Sequence, residues 1–243
     1  MSFVSIQLLD LTLPTPGENL ACDEALLDAC EEDGGPEVLR FWEPARHFVV
    51  LGYSNAMRSE VRLAACRAAE IPVLRRMSGG GTVLQGPGIL NYSLILQTDR
   101  FGLRTIPAAN RTVLERHRAC LAPLLAGPVT AQGDTDLTLS GRKFSGNAQR
   151  RRRKSLLFHG TFLLDLDLAL LEKLLPMPGR QPAYRRERRH RDFVMNLGLP
   201  PQPIKQALAA GWAARGRMTD PPLERARELA RSRYADPAWT AKF

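Results

Sequence analysis

Three consecutive glycines constrain this chain more than any other feature, because they join two stretches that read as β-strands. Gly79–Gly81 follow Arg75-Arg76-Met77-Ser78. The flanking stretches 71–74 and 89–96 are rich in aliphatic, β-branched and aromatic residues, which is typical of strands. A connection between two strands is not the strand-to-helix turn of a Walker loop or a dinucleotide-binding fold. Neither of those glycine motifs occurs in the sequence, so both nucleotide folds are excluded.

The glycine run is also a candidate anion seat. Glycines leave main-chain N–H groups unshielded, and two arginines directly precede them. A second segment, 141–149, again combines glycines with cationic side chains, Arg142 and Lys143. A phosphate or carboxylate ligand is the chemistry that this pattern favours, whereas a plain turn is the alternative for each run on its own.

The composition indicates a globular protein and excludes several classes. The 243 residues carry a net charge of +9, with 44% hydrophobic and 24% charged residues. No stretch approaches the length of apolar sequence that a membrane span needs, and residues 1–10 resemble a strand and not a signal peptide, so a cytoplasmic location is expected. RNA-recognition signatures are absent, and nucleic acid is therefore not predicted as a partner. The cysteines and histidines lack ligand spacing, so no metal site is predicted.

Periodicity and turn residues predict an α+β fold, with a mixed, mostly antiparallel sheet flanked by helices. The predicted strands are 1–12, a pair at 38–42 and 48–52, then 71–74, 89–96, 136–139, and a hairpin formed by 142–149 and 155–164. The predicted helices are 19–31 with a cap near Asn19, 58–69, 108–126, 165–175, 205–214 and 222–233. An irregular, arginine-rich stretch covers 176–192.

Taken in order, six segments resemble the lipoate–protein ligase and octanoyltransferase family, which is related to the biotin ligases. They are 19–27, Gly52-Tyr53-Ser54-Asn55, 75–83, Leu90-Asn91-Tyr92-Ser93, 141–149 and His159-Gly160-Thr161. The resemblance covers residues 1–202 and implies the catalytic-domain fold of the biotin and lipoate ligases. Residues 203–243 are expected to form a short helical C-terminal extension without a full accessory domain.

The resemblance also implies the site. Lys143 would be the catalytic residue, contacting the acyl carbonyl and the adjoining phosphate or thioester oxygen. A fixed ammonium stabilises the negative charge that develops on oxygen when an activated acyl group is attacked. The expected substrate- and nucleotide-binding residues are Arg75, Ser78, Gly79, Gly80, Gly81, Thr82, Asn91, Ser145, Gly146, Ala148, His159 and Thr161.

The family performs two chemistries, and cysteine placement favours one of them. Ligases use ATP and Mg²⁺ to make lipoyl-adenylate, whereas octanoyltransferases pass the acyl group through a thioester on their own cysteine. The two places where transferases carry that cysteine fall near 127–129 and 175–178, which hold none. ATP-dependent attachment of lipoate to a lysine is therefore the leading prediction. Acyl transfer without an ATP step and non-catalytic binding of lipoate or a carrier remain the alternatives.

The expected partner is a lipoyl carrier domain, from a 2-oxoacid dehydrogenase E2 subunit or a glycine cleavage H-type protein. An accessory subunit is a second possible partner, because the extension is too short for an independent core. The basic run 150–154 is predicted at the tip of the hairpin and could dock an acidic carrier domain, with a solvated loop as the alternative.

Overall fold

The computed structural model describes residues 5–32 and 35–243. The first residues of the strand predicted at 1–12, and the Asp33-Gly34 pair predicted to end the first helix, lie outside this range. Within it the protein has the predicted α+β architecture, a mixed sheet with helices alongside.

A seven-stranded sheet organises the molecule, and its strands are β1 (Gln7–Asp10), β2 (Val38–Trp42), β6 (Ile89–Gln97), β7 (Val129–Gln132), β8 (Asp136–Leu139), β9 (Arg142–Arg151) and β10 (Ser155–Leu163). They lie side by side in the order β1-β2-β6-β10-β9-β8-β7. The β1–β2 pair is parallel, and all the other neighbours are antiparallel. The hairpin β9–β10 is the predicted one, and it brings the Gly141–Gln149 segment to the middle of the sheet.

A second sheet of three short strands carries the glycine run. Strand β3 (Phe48–Leu51) lies between β4 (Val73–Arg75), which is parallel to it, and β5 (Val83–Gln85), which is antiparallel. The prediction that 38–42 pairs with 48–52 was therefore wrong, although both strands form. Both edges of β2 are already paired, with β1 on one side and β6 on the other, so β3 must find partners elsewhere.

Helix α1 (Pro16–Glu31) begins earlier than predicted. Its cap is Thr15, whose hydroxyl accepts from the Glu18 backbone amide while the Glu18 carboxylate accepts from the Thr15 backbone amide. This reciprocal pair is a capping box, and Pro16 suits the first turn. Asn19, the predicted cap, lies inside the helix and ties it to the preceding loop through Leu13.

The remaining helices are shorter or begin at different residues than predicted. The stretch predicted as one helix at 58–69 forms two short helices, and the third predicted helix begins at Ile106 after a Thr105 cap. The helices are α2 (Met57–Glu60), α3 (Leu63–Ala68), α4 (Ile106–Leu121), α5 (Leu168–Leu174), α6 (His190–Phe193), α7 (Pro201–Gly211), α8 (Leu223–Leu229) and α9 (Pro237–Thr240).

The large sheet is covered on both faces. Helices α4 and α7 pack on one face, where Tyr92, Phe158 and Phe162 form the aromatic part of the core. Helices α1 and α8 pack on the other, against Ile95 and Leu157. Side chains from both α7 and α8 lie inside these clusters, so the segment after residue 202 shares its core with the rest of the chain. No helix in the described part of the chain has the length and apolarity that a bilayer crossing requires.

Candidate active site

Six of the predicted site residues lie on one face of the large sheet. Residues directly opposite each other on antiparallel strands present their side chains to the same face. His159 pairs with Ser93 on β6 and with Ala148 on β9, and Thr161 pairs with Asn91 and Gly146. The fold thus gathers Asn91, Gly146, Ala148, His159 and Thr161 on the face that α1 partly covers.

Lys143 reaches the same face because of a β-bulge. Leu137 of β8 pairs with Ser145, but the next residue, Thr138, pairs with Lys143, so Phe144 is an extra residue in β9. A bulge re-aims the side chains on one side of it. Phe144 joins the aromatic core with Phe162. Lys143 is turned to the face of Gly146, which strict alternation would not allow.

The ammonium of Lys143 is partly exposed and paired with a carboxylate. Its Nζ lies 2.7 Å from Oδ1 of Asp136, and the two side chains are 26% and 11% exposed. The other carboxylate oxygen accepts a 2.6 Å hydrogen bond from the Tyr184 hydroxyl. Burial, reinforced by the Asp136 charge, raises the pKa of Tyr184, which keeps that hydroxyl protonated as a donor. The lysine is therefore paired with a fixed carboxylate, held at a defined place and open to solvent on one side.

Gly146 makes room for the lysine side chain. A methyl group built at Gly146 would lie 2.6 Å from Nζ and 2.7 Å from Cε of Lys143. Any larger residue at this position would displace the ammonium. The glycine is therefore required here by the space that the lysine occupies.

The glycine run lies over this face. A methyl group at Gly80 would lie 3.3 Å from Cβ of Ala148 on β9, and Gly80 has a positive φ of 86°. Gly80 and Gly81 are exposed, and open space surrounds the Cβ positions of Gly79 and Gly81. The loop leaves a gap at its crest in which a ligand can touch the backbone directly.

Arg76 holds the loop from below. Its Nη2 donates to the carbonyls of Gly79 and Gly81, at 2.6 and 2.8 Å, and its Nε donates to the Ser78 hydroxyl at 3.0 Å. Among the described residues, the hydrogen-bond acceptors of this guanidinium are all carbonyl or hydroxyl oxygens, and burial lowers the pKa of Arg76 to about 10. The side chain stays charged at neutral pH, so the base of the loop holds a buried positive charge whose partners in the described part of the chain are all neutral.

Arg75 points away from the loop. Its guanidinium is fully buried among main-chain carbonyls, which belong to Gly52, Tyr53, Asn55, Trp239 and Thr240. The Trp239 indole returns a hydrogen bond to the carbonyl of Arg75. These contacts fasten helix α9 to the loop after β3. The ligand contact predicted for Arg75 remains a prediction, and in this structure its donors are occupied by the chain itself.

Ser78 and His159 connect the loop to the sheet. Oγ of Ser78 lies 2.6 Å from Nε2 of His159, and Nδ1 of His159 lies 3.5 Å from Oδ2 of Asp23 on α1. Asp23 is buried, which alone would raise its pKa, but the Arg40 guanidinium at 2.6 Å, together with His159 and Ser93, holds the pKa below its ordinary value. The carboxylate is therefore ionised behind the histidine.

The other predicted residues have mostly structural partners. Asn91 exchanges two 2.9 Å amide hydrogen bonds with Gln85, and Thr82 accepts from the Asn55 amide. Ser145 pairs with Phe162 and lies on the opposite face of the sheet, buried near Asn147. The structure therefore does not bring Ser145 together with Lys143 and His159.

The basic run at the tip of the hairpin is partly neutralised within the molecule. Arg152 lies 2.7 Å from Asp28 of α1, and Arg151 donates to the carbonyls of Leu103 and Arg104. The side chain of Arg150 lies over the ring of Tyr53. Much of the run thus holds α1 and the start of α4 in place.

A family model matches most of the chain. Residues 15–205 match the model described as the lipoyl protein ligase A/B catalytic domain. The chain belongs to this family. An octanoyltransferase LipM of Symbiobacterium thermophilum is 31% identical over an alignment that covers 97% of this chain and 98% of the relative.

Solved structures of the family share the fold. One chain described as part of a bipartite lipoate protein ligase, with its E2 lipoyl domain, from Thermoplasma acidophilum has a TM-score of 0.84 at 25% identity, covering 99% of this chain and 98% of that one. A lipoate-protein ligase A bound with ATP has a TM-score of 0.82 at 25% identity, with 98% of each chain covered. The family thus includes both ligases and octanoyltransferases, and this protein is an enzyme of that group.

Sequence reasoning about this lipoyl protein ligase A/B family member missed three partner residues. Asp136 and Asp23 have no distinguishing local sequence pattern, and only strand pairing and the packing of α1 on the sheet place them beside Lys143 and His159. Arg40 reads as one polar residue in an apolar strand. An isolated charge within such a strand, Val38-Leu39-Arg40-Phe41-Trp42, is the signal that could have found it, because a buried charge requires a partner.

Proposed function

We propose that this protein attaches lipoate to a specific lysine of a lipoyl carrier domain, through a lipoyl-adenylate made with ATP. The observation that carries the proposal is the position of Lys143. Its ammonium lies on the face of the sheet that the glycine loop covers, in the space that Gly146 leaves by having no side chain.

Lys143 is assigned to stabilise the oxygen of the acyl group. When the carrier lysine attacks the acyl carbon, negative charge moves onto the carbonyl oxygen, and a fixed ammonium nearby lowers the energy of that state. In the free protein the ammonium of Lys143 forms an ion pair with Asp136. An anionic adenylate would compete with Asp136 for it, and the Tyr184 hydrogen bond keeps the carboxylate in place for the exchange.

Arg76, and not Arg75, is assigned to the phosphate of the adenylate. Arg76 is the buried charge at the base of the glycine loop, and the groups that it contacts within the described residues carry no opposite charge. A phosphate seated on the loop N–H groups would supply the missing negative charge. Arg75 is assigned to hold the loop 52–55 to α9.

The thiols of the chain argue against a cysteine-bound acyl intermediate. Burial raises the pKa of each of the four cysteines, to about 11 for Cys22 and about 12 for Cys30. A thiolate is the nucleophile in acyl transfer, and a raised pKa removes it at neutral pH. Cys22, which adjoins Asp23 on α1, is fully buried in the core.

Magnesium would enter with the nucleotide. The described residues contain no group of three or more histidine, cysteine or acidic side chains that could hold a metal ion alone. Mg²⁺ commonly takes most of its ligands from phosphates and water, with one or two carboxylates from the protein. Asp136 is the carboxylate positioned to contribute, and its chemistry fits the ion.

The acceptor is assigned from the family. The Thermoplasma structure is described with its E2 lipoyl domain, and a carrier domain of that type, or an H-type protein, is the proposed substrate here. That ligase is described as bipartite, so a partner subunit is proposed to assist adenylation in this protein as well.

Octanoyl transfer is the second candidate, because an octanoyltransferase LipM aligns with almost the whole chain. Mass spectrometry of a lipoyl domain separates the candidates. The domain is incubated with the protein and either lipoate plus MgATP or octanoyl carrier protein without ATP. A lipoyl mass gain in the first mixture alone supports the proposal, and an octanoyl gain in the second alone overturns it in favour of transfer.

Two controls complete the experiment. A variant with all four cysteines replaced by alanine or serine should retain ligation, and loss of activity in that variant while folded would point to a thioester route. Tight binding of lipoate or of the carrier domain with no mass gain in either mixture, even with the partner subunit present, would favour a non-catalytic binding protein.

A further inference from the structure

Asp23 lies behind His159 in a rigid setting that the proposed reaction does not by itself require. Oδ1 of Asp23 accepts a 2.6 Å bond from Nη1 of Arg40, and Oδ2 accepts a 2.8 Å bond from Ser93. Arg40 is itself fully buried and also donates to the carbonyls of Asn19 and Leu11. The carboxylate, carried by α1, is thus fixed by contacts from β2 and β6, and Oδ2 faces Nδ1 of His159 at 3.5 Å.

The chain of contacts permits one direction of hydrogen bonding. An ionised carboxylate only accepts, so the His159 nitrogen that faces it carries the proton. Nε2 is then a bare acceptor, and the Ser78 hydroxyl, 2.6 Å away, donates its single proton to it. Oγ of Ser78 in turn accepts from Nε of Arg76. All four groups agree on the same tautomer of the imidazole.

We infer that Asp23 is a positioning residue, which holds His159 in the Nδ1–H tautomer so that Nε2 accepts the proton released when the carrier lysine is acylated. This inference rests on the proposed function. In the step, the amine nitrogen bonds to the acyl carbon, the bond from that carbon to the phosphate oxygen breaks, and AMP leaves. The nitrogen loses a proton to Oγ of Ser78, whose own proton moves to Nε2. The resulting imidazolium faces the Asp23 carboxylate before it returns the proton through Ser78 to solvent.

The charges around His159 predict how this tautomer responds to mutation. Asp23 from α1 is the nearest charge, Arg40 on β2 lies behind it, and Arg76 contacts Ser78 on the loop side. Lys143 and its partner Asp136 lie further along the same face. Removal of the Asp23 charge leaves the cations unbalanced, so protonation of His159 becomes less favourable.

The decisive variant is Asp23→Asn, measured by single-turnover transfer from preformed lipoyl-adenylate to the lipoyl domain across pH. We expect the rate to fall about 100-fold, the size of a general-base contribution. The acid limb of the pH profile should move to lower pH. In a His159→Ala background, Asp23→Asn should change the rate less than about twofold, because both residues act through one proton transfer.

Arg40 could destabilise the Asp23→Asn protein, since removal of one partner of a buried pair leaves a bare charge. The double variant Asp23→Asn/Arg40→Met removes both charges, and we expect it to fold and to show the same loss of rate. A folded single or double variant with the full rate and an unshifted profile would overturn the inference.

A second readout needs no turnover. ¹⁵N NMR of the imidazole in the free protein should report Nδ1–H for His159, and the Nε2–H form should gain population in Asp23→Asn. Nε2–H as the main form in the unmodified protein would refute the role of Asp23 even if ligation is efficient. Absence of transfer by the unmodified protein, with Nδ1–H observed, would instead count against the proposed function and leave the positioning by Asp23 standing.

Discussion

Nζ of Lys143 and Oδ1 of Asp136 are 2.7 Å apart, although strict strand alternation would place the lysine on the other face of the sheet. The extra residue Phe144 turns the lysine toward Asp136, on the face of Gly146 and Ala148. One bulge therefore decides whether this chain has an ammonium at the proposed acyl site.

Replacement of Lys143 by alanine should lower the rate of lipoyl transfer by about 10²–10³, as the loss of one transition-state donor does in other acyl transfers. Folding should be preserved, because the side chain is 26% exposed and its partner is near solvent. Single-turnover assays with lipoyl-adenylate measure the rate. Lys173→Ala, at an exposed position of α5, is the matched control. Equal rates for both variants would contradict the assignment of Lys143.

Gly146→Ala should separate activity from stability. The added methyl meets only the flexible end of Lys143, at 2.6 Å from Nζ, so the lysine can move aside and the cost to stability should stay within about 1 kcal/mol. A displaced ammonium should slow transfer at least about tenfold. Thermal unfolding and the same transfer assay check both numbers. Gly179→Ala, at a glycine with open space around its Cβ position, should change neither, and a normal rate for Gly146→Ala would contradict the prediction.

The two neighbouring arginines should give opposite phenotypes. Arg75→Met leaves buried carbonyls without donors and should cost about 3 kcal/mol in urea unfolding, with little change in affinity for a non-hydrolysable lipoyl-adenylate analogue. Arg76→Met should weaken binding of the analogue at least about tenfold, because the buried charge beneath the glycine loop is lost. Calorimetric titration gives the affinities. If Arg75→Met binds the analogue weakly at unchanged stability, the phosphate contact belongs to Arg75 and the assignment to Arg76 is wrong.

Stability should fall in mild acid because of a histidine remote from the site. His117 on α4 is fully buried and accepts a 2.9 Å bond from the Trp212 indole, and burial lowers its pKa to about 3. The unfolded chain protonates it near pH 6.5. The contribution of neutral His117 to the free energy of unfolding is therefore complete above about pH 6.5. It decreases by about 1.4 kcal/mol per pH unit as the pH falls toward 3.

The variant His117→Gln keeps an acceptor for Trp212 and removes this titration. Between pH 7 and pH 5, His117 should lower the free energy of unfolding of the unmodified protein, measured in urea, by about 2 kcal/mol. The decrease over the same pH range should be smaller by that amount in the variant. The same pH dependence in both proteins would show that His117 does not control acid stability.

Local chemistry predicted much of the fold. The apolar strand 89–96, the hairpin that contains the Gly141–Gln149 segment, and the long helices at 16–31 and 106–121 all have strong local patterns. Boundaries were less predictable. Thr15 and Asn19 are both good capping residues, and the choice between them depended on Glu18, which completes the box only with Thr15. The three-residue strand Val83–Gln85 has too little pattern to be recognised without its partner β3.

The sequence by itself determined the chemical groups of the site: a glycine run after two arginines, one lysine between Arg142 and Phe144, and a His-Gly-Thr strand. These are local patterns, because the acyl chemistry requires particular residue types at short spacing. Only the tertiary structure decided that Arg76 underlies the loop while Arg75 holds α9, that Ser145 faces away, and that Asp23 and Asp136 stand behind His159 and Lys143. Those relations depend on strand register, on one bulge and on the packing of α1, which join residues far apart along the chain and leave no trace in local sequence.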